Sequence, residues 1–312
     1  MMRKFLIYVL FIAVSSWALS SVIAWSFETL FLAKTESRVN YKLSRFYDFN
    51  DDVLFLGSSR AEQSFMVDTI FKGDHAYNYG LVGTGNWLWP KLLEDAVAND
   101  KPELILINVD PDSLDHGTEW NMSYYLDVPH HSTVFSALKF TTRRRIRFFP
   151  FKYFGQYIEL FRTGIKQWKN STSYDNKGTN ISIKPPNPAS FFNQDMAKDS
   201  VLLCKEDDLQ ILSEILLKNN QDMVVFIKLP SYQEKGYKIF FNQLEDRFEG
   251  VPLTYFLDYT GELSNKSNWN DHLHLNLGGA TKFSKMLRRD LKLAADSNLI
   301  EIPPSVQFHS FN

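Results

Sequence analysis

Short apolar runs alternate with amphipathic stretches along most of the chain. The runs that indicate buried strands of a parallel sheet lie at 53–56, 76–79, 104–109, 223–229 and 252–257. Helical periodicity separates them, at about 60–71, 87–99, 206–219, 233–248 and 279–296. Strands that alternate with helices predict an α/β fold: a three-layer α/β/α sandwich around a mostly parallel five-stranded, flavodoxin-like sheet.

Other patterns interrupt and flank this alternation. Between about 115 and 200 the periodicity lapses, and we interpret this segment as an insertion of helices and loops. The predicted organisation is a membrane anchor at 1–27, a stem at 28–50, an α/β domain at 51–296 that carries the insertion, and a carboxyl-terminal tail at 297–312.

The amino terminus contains an uncharged run at residues 5–25, which Arg3 and Lys4 precede. About 20 helical residues span the ~30 Å hydrocarbon core of a bilayer. The basic end is expected to stay in the cytoplasm, which places the domain on the periplasmic or extracellular side of the cytoplasmic membrane. A cleaved signal peptide is the alternative, but its apolar core usually has only about 7–15 residues. We therefore favour an uncleaved single-pass anchor.

The composition narrows the classes of function. Hydrophobic residues make up 44% of the chain and charged residues 22%, which is typical of a globular protein. The 34 basic and 36 acidic residues leave no basic excess for a nucleic-acid backbone, so we expect no nucleic-acid partner. A single cysteine, Cys204, excludes an internal disulfide framework and a cysteine-rich metal site. We predict no metal and no cofactor.

A Gly-Ser-Ser sequence at 57–59 directly follows the first predicted strand. In an open α/β sheet, ligands bind at the carboxyl ends of the strands, so a serine at this place can face the ligand crevice. The same three residues would also suit a turn followed by a helix N-cap.

Asp271 and His274 lie just before the last predicted helix. A nucleophilic serine needs a base to take its proton, and the base needs a partner that fixes its tautomer. An aspartate three residues before a histidine can supply both, and Ser…Asp…His is a known chain order for such triads. His272 is a rival base. Alternatively, Asp271 caps a turn and His274 is a surface residue.

These motifs together resemble those of the SGNH/GDSL hydrolase superfamily. Within it, the chain is similar to a membrane-anchored branch that resembles the D-alanyl-transfer protein of teichoic-acid modification and the polysaccharide O-acetyltransferases. The resemblance implies that Ser59 is the nucleophile, with His274 as base and Asp271 as its partner. Residues 78–84 match the family's Asn-x-Gly-x-x-Gly stretch, which implies that Gly83 joins Ser59 in the oxyanion hole.

One block departs from the family pattern. Where the family has Gly-x-Asn-Asp after its third strand, this chain has Asn-Val-Asp at 108–110, and Asn108 is expected inside the strand. The oxyanion hole would then rest on the backbone N–H groups of Ser59 and Gly83. Losing one such donor can cost ~10²–10³ in rate.

The sequence predicts a membrane-anchored SGNH-type serine esterase or O-acyltransferase, which acts on acylated cell-envelope glycans through an acyl-serine intermediate. The alternative is a catalytically degenerate relative that binds carbohydrate or supports an envelope polysaccharide-modification complex. A membrane-bound acyltransferase is a candidate partner. The candidate substrate-binding residues are Arg60, Asn78 and Asn108; Arg60 would either bind an anionic substrate or be a solvated residue of the first helical turn.

Overall fold

The structure is a computed structural model. It describes residues 2–27, 39–48, 50–81, 88–99, 102–109, 128–129, 131–138, 173–182, 206–219, 222–230, 235–271 and 273–310.

A parallel sheet forms the centre of the described domain. The strands are β1 (Val53–Leu56), β2 (Phe71–Lys72), β3 (Ala76–Asn78), β4 (Leu104–Asn108), β5 (Ser173–Asn176), β6 (Thr179–Ser182), β7 (Met223–Lys228), β8 (Thr254–Asp258) and β9 (Gln307–Phe308). Five of them pair in parallel in the order β3-β1-β4-β7-β8. This order confirms the predicted five-stranded flavodoxin-like sheet.

Helices cover both faces of the sheet. They are α1 (Met2–Phe27), α2 (Val39–Asp48), α3 (Ser59–Ser64), α4 (Val67–Ile70), α5 (Leu88–Ala98), α6 (Thr133–Ala137), α7 (Glu206–Lys218), α8 (Lys235–Phe248) and α9 (Leu277–Asp296), with a 3₁₀ turn at Lys266–Asn268. The single helix predicted near 60–71 is in fact two short helices, α3 and α4, followed by β2. The break falls at Phe65 and Met66, whose backbones are extended.

Alternate side chains of each strand enter two separate hydrophobic layers. Leu54 and Leu56 of β1 pack with residues of α2, α5, α6, α7 and α8. Val53 and Phe55 point to the other face and pack with α3, α4 and α9. Because successive strand residues face opposite ways, strands that are apolar throughout are buried on both sides, as the three-layer prediction requires.

Part of the predicted stem belongs to the domain. Helix α2 buries Leu43 and Phe46 in the layer that it shares with α5. Its Lys42 is also fully buried, with Nζ 2.8 Å from Oε1 of Glu62 and 2.6 Å from the carbonyl oxygen of Gly80. The charged end of Lys42 has partners on other elements, so its burial leaves no lone charge in the interior. Helix α2 can therefore pack against the core although it looks polar in sequence.

A β-hairpin of β5 and β6 lies within the predicted insertion, where the sequence predicts helices and loops. It covers the edge strand β3, where the N–H of Asn78 donates to the carbonyl of Lys177 at 3.0 Å. Thr179 donates its hydroxyl to the carbonyl of Phe65 at 2.6 Å, and Ile181 is buried in the layer of α3. The hairpin therefore packs against the segment that directly follows α3.

The predicted tail also packs against the domain. Strand β9 pairs with β2 in an antiparallel ladder, and Ile300 and Val306 are buried. The pairing joins the end of the chain to the segment that follows α4.

Among the described residues, α1 is the helix that is long and apolar enough to cross a membrane. Its apolar side chains, including Phe5, Leu10 and Trp17, are exposed in the structure. An exposed apolar helix of this length fits a membrane span, and a signal sequence at the same position would share these features.

Candidate active site

The turn between β1 and α3 carries the candidate nucleophile. Gly57 has φ of +142°, and a Cβ at this position would lie 2.8 Å from Cβ of Ala61 and 2.9 Å from Cβ of Asn108. Glycine therefore allows the chain to leave the strand and enter the helix with this close approach. Ser58 is the N-cap of α3, since its Oγ accepts from the N–H of Arg60 at 3.2 Å. The capping role falls on Ser58, and Ser59 is the first residue of the helix.

The candidate base and its partner lie on the loop before α9. Oδ1 of Asp271 accepts hydrogen bonds from the backbone N–H groups of Leu273 and His274, each at 2.8 Å. Asn276 then caps α9 by accepting from the N–H of Gly279 at 3.0 Å. Asp271 thus closes a turn, which was the alternative reading, and the same turn brings its carboxylate to the ring of His274.

Three side chains form a continuous hydrogen-bonded series. Oγ of Ser59 lies 3.0 Å from Nε2 of His274, although the two residues are 215 positions apart. Nδ1 of His274 lies 2.9 Å from Oδ2 of Asp271. All three residues are half-buried, so the series is partly open to solvent and shielded on its other side. This geometry is that of a nucleophile, a base and a group that orients the base.

The electrostatics of the loop favour an ionised Asp271. Burial alone would raise the pKa of its carboxyl. The hydrogen bond and charge interaction with His274, together with the two backbone N–H donors, outweigh burial and lower this pKa to about 2. Asp271 is therefore a carboxylate at neutral pH and can accept the N–H of Nδ1, which leaves the lone pair of Nε2 directed at Ser59.

Two predicted site residues, Gly83 and His272, lie outside the described residues. The stretch that leads toward Gly83 is described as far as Leu81. At Gly80, a Cβ would lie 2.4 Å from the backbone nitrogen of Glu62, so this segment passes directly against α3. The predicted oxyanion-hole role of Gly83 stays a prediction.

Asn78 is held inside the domain by its hydrogen bonds. It is fully buried, and its Nδ2 donates to the carbonyls of Ala61 at 3.0 Å and Phe65 at 3.1 Å. Its Oδ1 accepts from the N–H of Gly80 at 2.8 Å. The amide therefore ties the end of α3 to the glycine stretch, and the predicted substrate contact of Asn78 stays a prediction.

Arg60 contacts the backbone of two other segments of the chain. Its side chain is buried, Nε donates to the carbonyl of Leu273 at 3.2 Å, and Nη2 donates to the carbonyl of Pro230. Burial argues against a solvated residue of the first helical turn, and binding of an anionic substrate by Arg60 stays a prediction.

Asn108 is the last residue of β4, inside the strand as expected, and it is fully buried beside Gly57. It packs beneath the turn that carries Ser59. In this position its side chain is not exposed, and the predicted substrate contact of Asn108 stays a prediction.

Lys42 of α2 and Glu62 of α3 form a buried ion pair that the sequence does not predict, and Glu62 lies one helical turn from Ser59. No local signal marks them, because their proximity depends on how α2 packs against α3. Within the described ranges, no group of three or more histidine, cysteine or acidic side chains could hold a metal ion.

No protein-family model and no curated protein matches the sequence. Among solved structures, the fold is similar to that of a family two carbohydrate esterase from Clostridium thermocellum, solved in complex with cellohexaose. The two share 7% sequence identity at a TM-score of 0.35, and the match covers 79% of this chain and 64% of that chain. The match thus spans less than two thirds of the esterase chain, and so distant a likeness carries no inference about activity.

Proposed function

We propose that the protein is a serine esterase or O-acyltransferase of the SGNH type, with Ser59 as nucleophile, His274 as base and Asp271 as its partner. The hydrogen-bonded series from Ser59 to His274 to Asp271, at 3.0 and 2.9 Å, is the observation that supports the proposal. Three residues from the two ends of the domain meet in the geometry that acyl transfer requires.

The first half of the reaction acylates Ser59. Nε2 of His274 takes the proton of the Ser59 hydroxyl as Oγ attacks the carbonyl carbon of an ester. The carbonyl oxygen becomes an oxyanion in the tetrahedral intermediate, and backbone N–H groups of Ser59 and Gly83 are the proposed donors to it. When the intermediate collapses, the imidazolium gives its proton to the departing alcohol, and the acyl group remains on Oγ.

The second half transfers the acyl group. A water molecule or a sugar hydroxyl loses its proton to His274 and attacks the acyl-serine, and the proton then returns to Oγ as Ser59 leaves. Water gives hydrolysis, and a sugar hydroxyl gives O-acylation. Hydrolase and transferase therefore share the same residues and differ only in the acceptor.

The substrate class and location complete the proposal. We infer that the substrates are acylated glycans of the cell envelope, a class implied by the resemblance to polysaccharide O-acetyltransferases. Helix α1 supports a membrane anchor, with Arg3 and Lys4 on the cytoplasmic side and the domain outside. A membrane-bound acyltransferase that supplies the acyl group is the proposed partner.

The second candidate is a catalytically degenerate relative that binds carbohydrate or supports an envelope polysaccharide-modification complex. The position of Asn108 favours it: this asparagine is buried within β4 rather than following the strand, so it supplies no exposed side-chain donor for an oxyanion.

A fluorophosphonate probe and p-nitrophenyl acetate, applied to the full-length protein in detergent, separate the two candidates. We expect the wild type to be labelled on Ser59, as located by mass spectrometry, and Ser59→Ala and His274→Ala to lose both labelling and turnover. Ser58→Ala is the matched control: it removes the neighbouring hydroxyl, which caps α3, and should retain labelling.

Each outcome favours one candidate. Labelling without turnover of the acetate ester would indicate a transferase that requires its own acceptor. A folded wild-type protein that the probe does not label would contradict the catalytic proposal and favour the degenerate relative.

A further inference from the structure

We propose that Arg60 is a positioning residue that fixes the backbone of His274 relative to Ser59. The inference rests on the proposed function, because it assigns Arg60 a role in that same site. Arg60 directly follows the candidate nucleophile in α3, so any group that its side chain holds is held relative to Ser59 itself.

The guanidinium connects three separate parts of the chain. Its backbone belongs to the first turn of α3, Nε donates to the carbonyl of Leu273 at 3.2 Å, and Nη2 donates to the carbonyl of Pro230, which lies just beyond β7. The nucleophile helix, the loop of the candidate base and the carboxyl end of a central strand are therefore joined through one side chain.

The peptide group between Leu273 and His274 is held at both ends. Its carbonyl oxygen accepts from Arg60, and its N–H, which belongs to His274, donates to Oδ1 of Asp271 at 2.8 Å. Because a peptide group is planar, two hydrogen bonds on opposite sides fix its orientation and thus the direction in which the His274 side chain leaves the backbone. Asp271 holds the N–H of this peptide group, and Arg60 holds its carbonyl oxygen.

Arginine has the chemistry for this role. Its planar guanidinium carries donors in a fixed arrangement and stays charged, so it can serve two carbonyls at once. Lysine has one rotatable ammonium on a flexible stem and cannot reproduce the same pair of directions. With Nε and Nη2 directed at backbone carbonyls and the residue only 6% exposed, Arg60 acts through the loop of His274.

The test compares Arg60→Met and Arg60→Lys with a matched control, Arg288→Met, in the full-length protein. Arg288 on α9 is also 6% exposed and donates to backbone carbonyls, those of Thr69 and Ser310, away from Ser59 and His274. Its replacement reports the cost of removing a buried arginine without disturbing the loop of the base.

We expect Arg60→Met to lower kcat for p-nitrophenyl acetate and the rate of fluorophosphonate labelling by roughly 10²-fold, the effect of about 1 Å of misplacement, with little change in KM. Arg60→Lys should recover part of the rate, and Arg288→Met should keep it despite a similar drop in melting temperature. Wild-type kcat in Arg60→Met, or a rise in KM at unchanged kcat, would overturn the proposal.

A second readout does not depend on catalysis. The proton on Nδ1 of His274 gives a low-field NMR resonance when it bonds to Asp271, and we expect this resonance in wild type and Arg288→Met but not in Arg60→Met. Its persistence in Arg60→Met would overturn the positioning role. If wild type shows the resonance but is never labelled, the proposed function fails while the role of Arg60 is still decided by the NMR comparison.

Discussion

At the residue scale, the carboxylate of Asp271 accepts hydrogen bonds both from the backbone of its loop and from the ring of His274. Its two oxygens accept from the N–H groups of Leu273 and His274 and from Nδ1 of the ring. A carboxylate that accepts several hydrogen bonds binds its proton weakly, which is why its pKa falls to about 2 in spite of burial. The loop is consequently more stable when Asp271 is ionised.

This coupling predicts how the stability of the protein depends on pH. The pKa of Asp271 falls from 3.8 to about 2 on folding, so its contribution is complete above pH about 4 and is lost as the pH falls toward 2. We expect the melting temperature of wild type to exceed that of Asp271→Asn at pH about 5. The margin should narrow below pH about 4.

Thermal unfolding followed by near-UV circular dichroism measures this margin. Asp290→Asn is a suitable control, because Asp290 bonds to the hydroxyl of Tyr259 and lies outside the site. A margin that stays constant down to pH 2 would show that the ionised form of Asp271 is not favoured by folding.

Local patterns predicted part of the site and could not predict the rest. Ser59 follows a strand, and Asp271 and His274 are close in sequence, so each can be recognised within a few residues. Arg60 and Asn78 could not be assigned, because their partners are backbone carbonyls on distant or adjacent elements. Any residue supplies a carbonyl, and the sequence therefore contains no sign of such a contact.

At the element scale, α2 and α3 are joined by one buried ion pair. Nζ of Lys42 contacts Glu62 at 2.8 Å and the carbonyl of Gly80 at 2.6 Å, and both charged side chains are almost fully buried. Replacing only one partner leaves the other charge buried without its counter-charge. This lowers the free energy of unfolding more than removing both charges does.

We expect Lys42→Met to lower the free energy of unfolding by about 3–5 kcal/mol, as measured by urea denaturation. The double variant Lys42→Met/Glu62→Met should be more stable than the single one, since it removes both buried charges. Lys91→Met is the control, because its ion pair with Glu94 is at the surface and contributes about 0–1 kcal/mol. A double variant less stable than Lys42→Met would show that a buried charge without its partner is not the source of the loss of stability.

The elements that the sequence predicted differ in their hydrophobic pattern from those that it did not predict. The central strands are continuous apolar runs, and β1 was predicted with the bounds that the structure shows, 53–56. Helix α2 was missed because its buried face includes Lys42 and Arg45, which pair with Glu62 and Asp51. Strands of two residues, such as β2 and β9, are too short to show any periodicity.

At the scale of the whole molecule, we expect α1 to be removable without unfolding the domain. We expect a chain that begins at residue 28 to be soluble, folded and labelled at the wild-type rate. A chain that begins at residue 51 should aggregate, because it lacks α2 and exposes the apolar layer that Leu43 and Phe46 cover.

Membrane fractionation and size-exclusion chromatography distinguish these truncated chains. Retention of the chain from residue 28 in the membrane fraction would show that α1 is not the sole anchor. A monomeric, fully active chain from residue 51 would show that α2 is dispensable and that the predicted boundary at residue 51 is sufficient.

If α1 spans a bilayer as proposed, the position of α2 limits how far the domain can lie from the lipid surface. The first turn of α2 contacts Glu62 and Gly80 through Lys42, and Glu62 is one turn of α3 from Ser59, so the chain enters the domain on the side of the candidate nucleophile. Residues 28–38 connect α1 to α2 and extend at most about 40 Å. Under the proposed function, with α1 in a bilayer, polymer segments close to the lipid surface would come within range of Ser59, and those deep in an outer wall would have to fold back to be modified.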